Sequence, residues 1–403
     1  MAKVSLIVPV YNPKEDYFKE CIDSLLNQTL DNIEIIIIDN GATGRNSEIA
    51  KEYEQNNSNV KLIFLEKNMG FSYACNQALK IATGEYIQIV DSDDFIEKNT
   101  CELLYKKATK NNADLIVFAS NMYNQKTRSF ENNPHYSLAN FPIEMLQTTY
   151  SSEECIDFIF RSPLQDWNKF VKRELVFENN NFFTEDLGYV LPDCVYSIKN
   201  FINAKKIMCE KECLYHYRVN ISSSVVKGYA KEDCKYLDAP IIFSQKIDEI
   251  LEETKNAELY AKELVNISLR HIFSYYDMVN KKNRSYLYKK MQEYFVGVNP
   301  KFYTKANIKN ADCWSEFKRF KKYSFSLYNF LRFLYTKSKR HNTTRIKFFG
   351  LSLYKKKCAN FKIYRRYLGF IHTEHEDFNA RMDYIIQQTT ENICKYLDTK
   401  IRW

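Results

Sequence analysis

The chain has 403 residues, enough for more than one domain and a sizeable buried core. Its eleven cysteines, an odd number with no CxxC pair, exclude a regular disulfide framework or zinc ribbon and suit a reducing cytosol. The net charge of +8 is unevenly spread: residues 301–370 carry 19 Lys and Arg against Asp312 and Glu316, which leaves the rest of the chain net acidic.

The opening stretch MAKVSLIVPVYN is too short for a signal peptide and reads as a first strand over residues 3–11. Residues 16–28 follow with Phe18, Ile22, Leu25 and Leu26 at helical spacing. IEIIIIDN, residues 33–40, is a continuous β-branched run, as expected of a strand covered on both faces of a parallel sheet. A helix over 47–55, a strand over 60–66, a helix over 71–82 and the strand EYIQIVD complete a βαβαβαβ pattern. A helix over 100–110 and a strand over 113–123 come next; pattern then weakens to residue 152, a mixed segment runs to 224, and 232–294 is helical in period. No apolar run approaches the roughly 20 residues that a spanning helix needs, so a soluble or peripheral protein is expected.

In open α/β sheets ligands bind beyond the carboxyl ends of the strands. Pro9, Tyr11 and Asn12 end the first strand, Asp39 and Asn40 the second, Asn68 and Gly70 follow the third, and Asp91, Ser92 and Asp93 end the fourth. Carboxylates gathered at a strand end can share a hard cation, which makes their proximity tolerable. In extended backbone Asp91 and Asp93 would face the same way. A solvated turn uses the same residue types. The EF-hand pattern fails at Phe95, and no GxxxxGK[ST] or GxGxxG motif occurs.

Taken in order, PVYN, IIIIDN, NMGFSYACN and VDSDD resemble the motif series of inverting family 2 glycosyltransferases with the GT-A fold. The likeness is strong over about the first 120 residues and looser to about 226. It implies a Rossmann-like mixed sheet with helices on both faces, followed by a mainly helical C-terminal region. It further implies that Pro9, Tyr11 and Asn12 lie along a nucleotide base, that Asp39 binds uracil, and that Asn68, Gly70, Asp91 and Ser92 line a UDP-sugar. Asp93, with Asp91, would hold Mn²⁺ or Mg²⁺ on the diphosphate. Two departures stand out: NGATG, with Asn40, Ala42 and Gly44, replaces the usual acidic turn, and Cys75 stands where the family commonly has arginine.

An inverting reaction needs a base on the acceptor side. The resemblance implies an acidic pair ahead of an apolar segment; Asp193 in LPDCVYSIKNF fits best, although Pro192 replaces the usual glutamate, and Asp186 is the reserve. The bland reading of Asp193 is a helix cap. Trp167 and Asn168 in DWNKF resemble an acceptor-site motif, while a tryptophan there also suits a core. His216 resembles a third metal ligand of some members, and Arg218 is placed to contact the diphosphate; a lone histidine is also commonly structural.

Residues 314–340 interleave aromatics and leucines with cations. As one helix they would set Trp314, Phe317, Phe320, Leu327, Leu331 and Leu334 broadly on one face, suited to an anionic membrane surface or to packing on the body. Residues 345–357 read as a short hairpin or strand. Expected domains are 1–228 (nucleotide-sugar side 1–120, acceptor side 121–228), a helical region 229–300 and a basic region 301–403. The reading is a metal-dependent inverting transferase acting from a UDP-sugar on a hydroxyl of a bacterial surface glycan or lipid-linked acceptor, at the cytoplasmic face of the inner membrane, with no nucleic-acid partner. The alternatives are a sugar nucleotidyltransferase, which would release pyrophosphate, and a non-catalytic nucleotide-sugar or glycan binder.

Overall fold

The computed structural model describes residues 2–131, 143–160, 162–187, 191–219, 236–308 and 311–326, together with Tyr136, Leu138, Tyr328 and strands between 335 and 372. Two units result, Met1–Phe317 and Lys318–Trp403; the boundaries expected at 228 and 300 both lie within the first.

The first unit opens with β1 (Val4–Val10), α1 (Glu15–Leu26), β2 (Ile33–Asn40), α2 (Asn46–Asn56), β3 (Val60–Leu65), α3 (Phe71–Ile81) and β4 (Tyr86–Ile89). These four strands are parallel in the order β3-β2-β1-β4. Every residue of β2 is buried, because helices cover both faces, and a continuous β-branched run costs nothing where neither face meets water. On α1 the buried residues are Phe18, Cys21, Ile22 and Leu25, one stripe at helical spacing turned to the sheet.

Next come β5 (Phe95–Ile96), α4 (Thr100–Asn111), β6 (Leu115–Asn124), β7 (Ser129–Glu131), α5 (Ile156–Ile159), β8 (Lys169–Lys172), α6 (Arg173–Glu178), α7 (Pro192–Asn203) and β9 (Ile207–Arg218). They extend the sheet to β3-β2-β1-β4-β8-β6-β9-β5, with β8 antiparallel between β4 and β6. The sheet is therefore mixed, as expected. α8 (Ala239–Glu253) packs against α7 and against α9 (Ala257–Met278), and α10 (Arg284–Gly297) follows.

The long helix expected over 314–340 is not formed. The structure has α11 (Ala311–Lys322), and Tyr335–Arg340 is a strand, β10; Leu327, Leu331 and Leu334 lie outside the described residues. β10 begins an antiparallel meander with β11 (Thr343–Phe348), β12 (Leu351–Ala359), β13 (Lys362–Tyr367) and β14 (Phe370–His372). Alternating polar and apolar residues such as RIKF and LSLYK suit a strand better than a helix, and β11 with β12 forms the expected hairpin. Among the described residues no helix is long and apolar enough to cross a membrane.

Candidate active site

The carboxyl ends of β1 to β4 converge at one edge, and each brings a polar group there. Tyr11 is exposed just past β1, after Pro9, which pairs with Ile38. Asn12 adopts a left-handed conformation (φ 50°), and its Oδ1 accepts the Thr43 N–H at 2.6 Å, fastening the loop after β2. Asp39 is fully buried: its Oδ1 accepts the Ala42 N–H at 2.8 Å, while its Oδ2 has no partner in the protein.

The departure at Asn40 has a structural use. Its Oδ1 accepts the Met69 N–H at 2.9 Å and its Nδ2 donates to Asn68 Oδ1 and the Gly70 carbonyl, both at 3.2 Å. Asn68 Oδ1 also accepts the Gly70 N–H at 2.8 Å. This joins the loops after β2 and β3. Gly41 allows the approach, since a Cβ there would lie 2.4 Å from the Lys67 carbonyl carbon. Asn68, Gly70, Ser72, Tyr73, Glu185 and Asp186 line a cavity of about 390 Å³, so Asp186 sits exposed beside the start of α3.

Residues 91–94 are a turn, with the Asp94 N–H donated to the Asp91 carbonyl at 3.0 Å. The extended alternation expected for Asp91 and Asp93 therefore does not occur. Asp91 and Asp93 are half-buried, and Ser92 is buried. Burial, with the charges of Asp93 and Asp193, pushes the Asp91 carboxyl up to about 7. Asp94, which the sequence left without a role, is buried: its Oδ2 accepts the Tyr215 hydroxyl at 2.7 Å and its Oδ1 the Arg218 N–H at 2.6 Å.

Arg218, expected to contact the diphosphate, is buried beside the turn, and each of its guanidinium nitrogens donates within the protein: Nε to the Asp93 carbonyl at 2.6 Å, Nη2 to Glu20 at 2.8 Å and Nη1 to Gln125. His216 does not join Asp91 and Asp93 as a third ligand. Its Nε2 lies 2.8 Å from Glu97 and its ring between Phe95 and Phe130 (4.7 and 4.8 Å), a setting that burial makes unfavourable for the charged form.

The acceptor-side motif DWNKF is buried. Trp167 is 4% exposed, stacked on Tyr215 at 4.6 Å and on Tyr217 at 5.8 Å, so its faces are taken. Asn168 is fully buried, donating to the Phe118 carbonyl at 3.3 Å and accepting from Lys169. DWNKF contributes instead through Asp166 and Lys169. The buried Lys169 ammonium ties down the loop through the Pro163 and Gln165 carbonyls, at 2.7 and 2.8 Å. Asp166 is buried with an unpartnered Oδ2; burial and then the charges of Asp91 and Asp193 raise its carboxyl well above the ordinary range.

Asp193 lies in the first turn of α7, not at its cap, which is Leu191 in a left-handed conformation (φ 59°). Burial raises its carboxyl to about 6, against backbone N–H groups and the Lys169 ammonium, which favour the charged form. α3 is linked to this region: Asn76 exchanges hydrogen bonds with Phe183, whose ring stacks on Tyr196 of α7 at 4.1 Å. Cys75 is buried within α3, its thiol raised by burial and by the Asp166 and Asp91 charges. A cysteine thus occupies, among carboxylates, the place where the family's arginine would bring a cation.

Oxygen donors of this kind suit Mg²⁺ or Mn²⁺. Burial and repulsion from Asp93 and Asp193 hold the Asp91 carboxyl away from its charged form, which a cation would relieve, so the turn carrying Asp91 and Asp93 fits one. Among the described residues no group of three or more His, Cys, Asp or Glu is placed to hold an ion by itself. The remaining ligands would then come from diphosphate oxygens and water.

A sheet edge with this series of polar groups has relatives. The family model for glycosyl transferase family 2 matches residues 5–164. EpsH of Bacillus subtilis is 31% identical over 272 residues, 66% of this chain and 74% of that protein. The chain belongs to glycosyl transferase family 2. Other members are longer. Glycosyltransferase GlyA of Streptococcus pneumoniae is 32% identical over 225 residues, 55% of this chain and 31% of GlyA. The poly(ribitol-phosphate) beta-glucosyltransferase of Bacillus spizizenii is 27% identical over 290 residues, 70% of this chain and 41% of that protein. The chain thus spans less than half the length of these two curated relatives. Among solved structures, S. aureus TarS 1–349 in complex with UDP covers 86% of this chain and 96% of that one, with a TM-score of 0.63 at 20% identity. The likeness shows a shared GT-A fold.

Proposed function

We propose that this family 2 member transfers a sugar, with inversion, from a UDP-sugar to a hydroxyl of a bacterial surface glycan, using Mn²⁺ or Mg²⁺. The observation that carries the reading is the convergence at one sheet edge of the buried Asp39, with one oxygen left without a partner, the Asn40–Asn68 link between the next two loops, and the turn that carries Asp91 and Asp93; the charge of Asp193, from the acceptor side, is felt at Asp91. The partnerless Oδ2 of Asp39 supports uracil, whose N3–H would donate to it; in a buried position an unpaired carboxylate oxygen is costly. The relatives named for a ribitol-phosphate polymer and for UDP support the acceptor class and the donor.

Each residue then has a task. Asp39, with Tyr11 and Asn12, holds the base, and the Asn40–Asn68 link keeps its loops together. Asp91 and Asp93 hold the ion, which when bound neutralises charge on the departing diphosphate. Asp193 takes the acceptor proton as the hydroxyl attacks the anomeric carbon; a base near 6 is poised for this at neutral pH. The acceptor oxygen bonds to that carbon, the bond to the diphosphate oxygen breaks, and UDP leaves with the electron pair. We assign contact with the anionic cytoplasmic face of the inner membrane to residues 335–372, which hold eleven Lys and Arg and no Asp or Glu. The deciding experiment is a donor panel scored by UDP release with Mn²⁺ and a teichoic-acid or capsule acceptor. UDP without pyrophosphate is expected; no release from any UDP-sugar overturns the reading.

A further inference from the structure

A turn is a weak platform for ligands unless something outside it sets its shape. Here the turn at 91–94 has one internal backbone bond, yet three of its four residues are fastened to the end of β9. We propose that Tyr215 and Arg218, through Asp94, are positioning residues that hold this turn so that Asp91 and Asp93 present a ready-made seat for a divalent ion on a diphosphate. The proposal rests on the metal and UDP reading above.

The fastening is two-pronged. The Tyr215 hydroxyl donates to Asp94 Oδ2 at 2.7 Å and accepts the Asp91 N–H at 3.1 Å, so one oxygen bridges the first and last residues of the turn. Its ring is fixed in turn by the stack on Trp167. Arg218 occupies Asp94 Oδ1 with its backbone N–H and the Asp93 carbonyl with its Nε, both at 2.6 Å. Both oxygens of the Asp94 carboxylate are thereby used by β9. The guanidinium is held from outside the turn by Glu20 of α1 and Gln125, and it lies over the Tyr17 ring, 4.2 Å from its centre. From α1 a further contact comes from Cys21, whose Sγ donates to the Asp91 carbonyl at 3.5 Å.

This arrangement is more than packing requires. A buried arginine and a buried aspartate each demand partners, and meeting that demand ties β9 to the backbone of the residues that carry the site carboxylates: Arg218 Nε donates to the Asp93 carbonyl, and the Tyr215 hydroxyl that donates to Asp94 accepts the Asp91 N–H. Moving β9 would move Asp93 and Asp91. Hydrogen-bond partners that orient metal ligands from outside affect metal affinity by about 10–100-fold when removed.

The test uses the full chain and measures Mn²⁺ directly, by the loss of the free-ion EPR signal with UDP present, at a temperature well below melting. Tyr215→Phe keeps the ring stack and deletes the bridging hydroxyl; Asp94→Asn, a second variant, keeps the shape and weakens both prongs. Each is expected to bind Mn²⁺ in the presence of UDP about tenfold more weakly than wild type, with metal-free UDP binding unchanged. Raised Mn²⁺ should restore UDP release in both, and should not restore it in Asp93→Ala. Variants that melt at lower temperature but bind Mn²⁺ as wild type does would reduce the clamp to a purely structural role and overturn the proposal. Wild type that shows no UDP-dependent Mn²⁺ binding would instead sink the metal reading itself, and the proposal with it.

Discussion

The two ends of β2 each bury a carboxylate, and the protein treats them in opposite ways. At the amino end Glu34 is surrounded by donors: Ser5 Oγ at 2.6 Å, the Thr83 N–H at 2.6 Å, Thr83 Oγ1 at 2.9 Å, the Gly84 N–H at 3.1 Å and Lys61 Nζ at 2.6 Å. Although burial opposes charge, these partners hold its carboxyl down at about 2. At the carboxyl end, five residues on, Asp39 keeps one oxygen without a partner, and nearby Asp91 is pushed up to about 7. A carboxylate that the protein satisfies completely serves the fold. At this edge, where the polar strand ends converge, we propose that the one left short serves a ligand.

The contrast breaks most visibly at the ligand end. Asp93→Ala should lower UDP release by at least about a thousandfold, since the charge on the leaving diphosphate would go uncompensated, while the urea midpoint stays near wild type. Normal turnover would remove the metal assignment. Asp193→Asn comes next, with kcat down by about a hundredfold or more and UDP-sugar affinity intact, measured by binding and by turnover on the same preparation. An active variant would move the base to Asp186, in the neighbouring cavity.

Much of this edge was legible in the sequence because strand ends and short-range motifs are local. β1 to β4 and the helices between them follow from period and from β-branched runs, whereas the sheet order β3-β2-β1-β4 does not, and Asp39, Asp91 and Asp93 fall at or just past strand ends. What misled was long-range. Nothing near Arg218 in sequence shows that Glu20, Gln125 and Asp93 would each accept from its guanidinium, since the partners lie on α1, after β6 and in the turn. The choice between an acceptor platform and a core tryptophan at Trp167 is long-range for the same reason: Tyr215 and Tyr217, on which it stacks, come some fifty residues later. Asp94 could have been found from its own motif, because a third adjacent acid needs dedicated donors if it is to be buried. In the second unit, an apolar and basic composition suited both helix and strand, and antiparallel pairing of β10 with β11 decided the matter.

At the other end of β2, Glu34→Gln should cost the fold about 2–3 kcal/mol and leave kcat unchanged at low temperature. The measurement is a urea midpoint at constant slope. Because the folded-state pKa is depressed from the ordinary 4.5 to about 2, this contribution is fully present above about pH 5 and is lost as pH falls toward 2. Wild type should therefore lose stability over that window more steeply than the glutamine variant. Parallel acid profiles for the two would mean that Glu34 is no better satisfied than the site carboxylates, and the contrast would collapse.

The smallest expected effect tests the base pocket. In Asp39→Asn the side-chain oxygen remains committed to the Ala42 N–H, so the amide nitrogen replaces the partnerless oxygen and turns an acceptor into a donor. Uracil presents a donor at N3 and would meet another donor; cytosine presents an acceptor there and would be matched. UDP should bind about tenfold more weakly, roughly 1.4 kcal/mol, and CDP relatively better, so that the ratio of the two affinities shifts by more than either alone. A titration of both nucleotides without acceptor reads this directly. An unchanged ratio would place the base away from Asp39 and leave its partnerless oxygen to some other group of the donor.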